Sequence, residues 1–203
     1  MHKLREDNRN TPKFFDDCLI KRMKEYNGLN PYDDERFGEM VKYFKGGKFL
    51  DLGIGDSPAG LHLIERFSSS EFHGLDFSSE LIKYLQKNYP GINYILGNVL
   101  NTPYRDNYFD YIIAGELIEH IENPKELLNE VFRILKPNGV FSLSTPDREN
   151  VTRIGVIDFT HIWSFEEEDI KNLLEQYGKV ETQIFIKEKY PKIIAHCRKY
   201  GSN

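Results

Sequence analysis

The chain has 203 residues, of which 39% are hydrophobic and 13% aromatic. That is enough apolar material for one well-formed core and too much for general disorder. A formal charge of −5 speaks against a broad nucleic-acid-binding face and favours a small-molecule partner.

Two cysteines, Cys18 and Cys197, show no CxxC spacing and read as free thiols in a reducing cytoplasm. The opening MHKLREDNRN is charged and lacks the apolar stretch of a signal peptide. No apolar run approaches the roughly 20 residues of a membrane span. A cytoplasmic protein is expected, its oligomeric state left open.

Residues 1–12 read as a frayed terminus. PKFFDDCLIKRMKEY then carries apolar residues at helical spacing, and YDDERFGEMVKYF reads as a second helix stopped by Gly46 and Gly47. Residues 1–45 are expected to form an N-terminal helical cap, and residues 46–203 a single folded unit. From there strands and helices alternate: KFLDL (strand), AGLHLIERF (helix), EFHGLDF (strand), SSELIKYLQKNY (helix), NYILG and YFDYIIAG (strands), NPKELLNEVFRIL (helix), GVFSLST (strand) and SFEEEDIKNLLEQYG, a helix with a serine cap. KVETQIFI and KIIAHCRKY close the chain as strands. This alternation predicts an α/β fold with a doubly wound sheet and helices on both faces. The last two strands are joined too closely for a crossover, so one runs antiparallel.

KFLDLGIGDSPAG ends a strand on Asp51 and follows it with Gly53 and Gly55. Glycines just past a strand tip let the backbone turn sharply and a ligand lie against it. Asp76 ends the next strand, where an acidic side chain accepts hydrogen bonds from ribose hydroxyls; the alternative is that it only caps the following helix. The third glycine, Gly60, falls too late for a dinucleotide fingerprint. A carboxylate at Asp51 suits a ligand that brings positive charge, as the ammonium and sulfonium of S-adenosylmethionine do.

Over about residues 45 to 185 the sequence resembles class I S-adenosylmethionine-dependent methyltransferases, including the O-methyltransferases of ubiquinone biosynthesis. The resemblance rests on FLDLGIGDSPAG, FHGLDFSSELIKYLQKNYP, YILGNVLNTPYRDNYFDYIIAGELIEHIENP, LNEVFRILKPNGVFSLSTPD and HIWSFEEEDIKNLLEQYGKVE, in that order. It implies a Rossmann-like, seven-stranded mixed sheet. It also implies that Asp51, Gly53 and Gly55 shape the methionine end, that Asp76 holds the ribose with Phe77 beside the adenine, and that Asn98 and Val99 meet the adenine edge. Ala114, Gly115 and Glu116 would pass the sulfonium.

In GELIEHIENP, Glu116, Glu119 and His120 stand at i, i+3 and i+4 and would share one face of a helical turn. His161 arrives from the long connection after the fifth strand. Glu116, His120 and His161 are candidate catalytic groups. Glu116, Glu119, His120 and His161 together form a candidate divalent-metal set, a pattern that resembles metal-dependent small-RNA 2′-O-methyltransferases. Trp163 and Phe165 either roof the pocket or belong to the core, and Tyr32 and Arg36 are candidates to close over the methionine carboxylate. The expected function is O-methylation of a small hydroxylated metabolite, sugar or aromatic. A metal-dependent RNA 2′-O-methyltransferase and a non-catalytic S-adenosylmethionine-binding protein are the alternatives.

Overall fold

A computed structural model of the chain describes residues 1–5, 10–26, 28, 34–148, 160–186 and 191–201. The seven principal strands are β1 (Lys48–Leu52), β2 (Glu71–Asp76), β3 (Asn93–Leu96), β4 (Phe109–Gly115), β5 (Leu135–Pro146), β6 (Gly178–Phe185) and β7 (Lys192–Lys199). They form one sheet in the order β3-β2-β1-β4-β5-β7-β6. The five strands from β3 to β5 pair in parallel, while β7 runs antiparallel to both β5 and β6. The strand that breaks the parallel run is therefore the last one.

The period of two in a strand sorts the core between the faces. Phe49, Tyr111 and Ile113 pack with Phe37, Met40, Leu81 and Leu85. Their neighbours Leu50, Ile112 and Ala114 point the other way, to Leu127, Val131, Ile170 and Leu174. Helices thus cover both faces: α2 (Asp34–Met40), α3 (Gly60–Leu63) and α4 (Ser79–Asn88) on one, α5 (Pro124–Ile134) and α6 (Glu167–Leu174) on the other. The N-terminal helix α1 (Pro12–Tyr26) packs on α4. Its Asp16 accepts a hydrogen bond from the Ser78 hydroxyl, and Ser78 caps α4 by accepting from the Leu81 amide at 3.2 Å. Among the described residues no helix is long and apolar enough to cross a membrane.

Three local expectations are corrected. Helix α3 ends at Leu63 rather than continuing to Phe67. The serines that follow favour turns over helix, and Ser70 accepts from the Gly47 amide at 3.1 Å at the entry to β1. Helix α6 is capped not by Ser164 but by a capping box between Glu166 and Asp169, because Ser164 lies in a two-residue ladder. That ladder pairs Trp163–Ser164 antiparallel with His2–Lys3, so these first residues are docked rather than frayed.

Candidate active site

The sheet reverses its strand order between β1 and β4, and open α/β sheets bind ligands beyond the carboxyl ends of their strands at such a point. Gly53 and Gly55 have φ of +72° and +56°, left-handed values that favour glycine. At Gly53 a Cβ would also lie 2.9 Å from Leu117 Cδ1. The turn folds back on β2. The amides of Gly53 and Ile54 donate to the Leu75 carbonyl at 2.8 and 3.2 Å, and the Gly55 amide donates to Asp76 Oδ2 at 3.2 Å. Asp76 Oδ1 accepts from the Ser78 amide at 2.9 Å, and Asp51 Oδ2 from the Ala59 amide at 2.9 Å.

Two carboxyl groups therefore mark adjacent strand tips, Asp51 3% and Asp76 6% exposed. Burial pushes Asp51 up to about 8 against the opposing pull of the Ala59 amide and Arg36. Burial also raises Asp76, against the amides of Ser78, Gly55 and Phe77. Phe77 follows half-buried, and Asn98 is exposed with Val99 half-buried beside it. The Gly97 amide donates to the Asp76 carbonyl at 2.9 Å, which brings the exit of β3 next to the tip of β2. Asn98 Oδ1 accepts from the Leu100 amide at 2.9 Å, so the carbonyl end of that side chain is engaged.

On the other side of the switch point, Glu116 is not on a helical face with Glu119 and His120. It has φ +52°, and the 3₁₀ turn begins only at Ile118. Its carboxylate turns instead toward β5 and β7. Ser144 donates to Oε1 at 2.8 Å, Arg36 Nη1 stands 3.4 Å from the same oxygen, and Lys192 pairs with Oε2. Burial alone would raise the Glu116 carboxyl, but Lys192 and Arg36 outweigh it and hold it below the usual range. Glu119 and His120 meet His161 in a separate cluster, with potential ligand atoms all within 4.8 Å of one another. The two imidazoles lie 4.9 Å apart, edge to face. Glu119 is 1% exposed; burial, reinforced by the charge on Glu116, pushes its carboxyl up to about 8. Its Oε2 accepts from the Thr145 hydroxyl at 3.0 Å. Its Oε1 is buried without a hydrogen bond among the described residues, 4.0 Å from His161 Nε2.

Residues 50–143 match the family model described as a methyltransferase domain. The chain therefore carries a methyltransferase domain over residues 50–143. It is 35% identical over 109 residues to the demethylmenaquinone methyltransferase of Lysinibacillus sphaericus, covering 51% of this chain and 47% of that one. It is 30% identical over 150 residues to the biotin biosynthesis bifunctional protein BioHC of Teredinibacter turnerae, covering 66% of this chain and 26% of that one. The chain thus spans about half or less of these curated relatives. A solved methyltransferase of Archaeoglobus fulgidus shares the fold at a TM-score of 0.72 and 17% identity, covering 89% of this chain and 99% of that one. A Pyrococcus horikoshii protein does so at 0.66 and 24%, covering 84% and 93%.

The strand tips gather the residues singled out by the sequence into two groups: Asp51, Gly53, Gly55 and Asp76 at β1 and β2, and Glu119, His120 and His161 beyond β4. Arg36, 4% exposed, reaches from α2 to the tip of β4, where a Cβ on Gly115 would lie 3.3 Å from its Nη1. Tyr32 lies outside the described residues. Phe165 is fully buried in the core, and the Trp163 indole donates to the Ile121 carbonyl at 3.0 Å. Ser144, Lys192 and Asn10 have no signature in the sequence. Register alone delivers the first two, pairing Gly115 with Ser144 and Pro146 with Lys192. A broad cleft of about 700 Å³, lined by Glu71, His73, Gln86, Asn93 and Tyr94, opens at the amino ends of β2 and β3. That is the opposite end from Asp76, so the strand-tip site and this cleft are separate.

Proposed function

We propose that the protein transfers the methyl group of S-adenosylmethionine to the oxygen of a small hydroxylated acceptor. The observation that carries the reading is the bond from the Gly55 amide to Asp76. It ties the glycine turn of β1 to the acidic tip of β2 at the point where the sheet reverses, inside a methyltransferase domain. Asp51, Gly53 and Gly55 then surround the methionine moiety, with Arg36 placed for its carboxylate. Asp76, held by backbone amides, has lone pairs left for the ribose hydroxyls. The engaged Asn98 carbonyl leaves its NH₂ to donate to the adenine ring, beside Phe77 and Val99. The small acceptor is supported by the relatives, among them a demethylmenaquinone methyltransferase.

The transfer is an in-line displacement: the acceptor oxygen forms a bond to the methyl carbon as the sulfur–carbon bond breaks. The sulfonium leaves as neutral S-adenosylhomocysteine, and the hydroxyl proton passes to an imidazole. Holding donor and acceptor in line is worth about 7–11 kcal/mol. His161 and His120 are the candidate bases, with Glu119 beside them. Glu116, both of whose carboxylate oxygens are engaged, serves as the counter-ion that anchors Arg36 and Lys192.

The cluster also suits a divalent cation through Glu119, His120 and His161, because the buried Glu119 Oε1 lacks a hydrogen bond and faces His161. Such an ion would lower the pKa of a coordinated acceptor hydroxyl. Glu116 does not join this group of ligand atoms.

Calorimetric titration with S-adenosylmethionine and S-adenosylhomocysteine tests the reading. Both should bind, and Asp76→Ala should weaken them by about 10–100-fold, the loss expected of hydrogen bonds to a charged acceptor. Binding that is absent, or untouched by Asp76→Ala in a variant with parental melting, would remove the proposal. Formation of S-adenosylhomocysteine with any hydroxylated acceptor separates an enzyme from a non-catalytic binder.

A further inference from the structure

Asn10 stands outside every motif, yet its side-chain nitrogen donates to two backbone carbonyls at once, Thr160 at 2.9 Å and His120 at 3.1 Å. Those carbonyls belong to the two segments that carry His161 and His120. Further bonds run in the same layer. The Leu4 amide donates to the Ile162 carbonyl and the Ile162 amide to the Glu119 carbonyl, both at 2.8 Å. His120 Nδ1 lies 3.2 Å from the Thr160 carbonyl. Three stretches remote in sequence are thereby stacked: residues 2–4, the turn around Ile118–His120, and residues 160–164.

Neither histidine-bearing stretch is rigid through its own regular structure, since one is a three-residue 3₁₀ turn and the other leads into a two-residue strand. Ties between the two stretches therefore contribute to the placing of the two imidazoles. The primary amide of Asn10 carries two hydrogens and can give one to each carbonyl, which a hydroxyl or carboxylate cannot do.

We infer that Asn10 is a positioning residue: it locks the turn bearing Glu119 and His120 to the segment bearing His161, and so sets the geometry of the acceptor-side cluster. The inference deepens the methyltransferase reading and rests on it for its catalytic meaning. It also assigns work to a part of the chain whose sequence reads as a frayed end.

The test compares the parent protein with Asn10→Ala in three measurements: amide hydrogen exchange, the ring nitrogen shifts of His120 and His161, and calorimetric titration with S-adenosylhomocysteine. Loss of two hydrogen bonds should speed exchange of the Ile162 amide by about tenfold and move both imidazole signals. Amides of β1 and β4 should keep their protection, and affinity for S-adenosylhomocysteine should stay within about twofold, because its proposed contacts lie at other strand tips. Unchanged exchange and unchanged imidazole shifts would overturn the inference. So would a uniform loss of protection across the sheet, which would make Asn10 a general stabiliser. A parent protein that does not bind S-adenosylhomocysteine would instead overturn the methyltransferase reading, and with it the catalytic role of the clasp, whatever Asn10→Ala does to exchange.

Discussion

Asp51 offers a test through pH. Its carboxyl is buried and raised to about 8, so at pH 7 only about a tenth of the molecules carry the anion. In the proposed complex it faces a cationic ligand that selects the ionised form. When only a fraction of the protein is competent, the apparent affinity falls by that fraction. Affinity should therefore rise about tenfold, or about 1.4 kcal/mol, for each pH unit between 5.5 and 7.5. Above that range the α-amino group of the ligand itself begins to lose its proton, with a pKa of about 8. Binding should also release close to one proton per ligand below pH 7. Calorimetry of S-adenosylmethionine binding in buffers of different ionisation enthalpy reads both quantities. Asp51→Asn keeps an acceptor for the Ala59 amide and removes the charge, so its affinity should be weak and flat with pH. The neighbouring charges, Arg36 and Asp76, are present in both proteins and cancel in the comparison. A parent whose affinity is flat from pH 5.5 to 7.5 without proton release, or an Asp51→Asn variant with the parental slope, would show that Asp51 is not the counter-ion of the ligand.

Gly53→Ala should cost about 1–2 kcal/mol from the left-handed backbone alone, with more from a Cβ 2.9 Å from Leu117 Cδ1; chemical denaturation should show this together with weakened S-adenosylhomocysteine binding. His196, 3% exposed, is lowered to about 4 by burial and then by Lys42. Since the unfolded chain takes up the proton first, stability should fall by of order 3 kcal/mol as pH drops from about 6.5 to 4, and His196→Gln should flatten that part of the profile. Asp51 and Glu119, both raised, act in the opposite sense and lose stability as pH rises from about 4 to 8, so the variant must be read against the parent at each pH. If Glu119, His120 and His161 hold a divalent ion, chelator should abolish turnover and Mn²⁺ or Zn²⁺ restore it, with binding of the methyl donor unchanged; full activity after exhaustive chelation would exclude the requirement.

The alternation of strand and helix patterns, the glycine turn after Asp51 and the acid at Asp76 were legible in the chain because each is local. Backbone freedom at Gly53, a strand tip at Asp76 and a period of two through Phe49–Asp51 depend on neighbours a few residues away. The same locality explains the errors. The spacing of Glu116, Glu119 and His120 implied one helical face, but the left-handed backbone at Glu116 turned its carboxylate to Ser144, Arg36 and Lys192. That conformation follows from the Glu116 amide donating to the Ser144 carbonyl at 2.9 Å, a bond that sheet register creates. Lys192 and Ser144 reach the site only because β5 lies between β4 and β7, and Asn10 only because residues 2–4 pair beside 160–164. Local sequence placed the glycine turn and the two acids at the tips of β1 and β2; the meeting of Glu116 with Lys192 and of Glu119 with His161 came from the packing, because hydrogen bonds between distant segments choose among conformations that local propensity leaves nearly equal in energy.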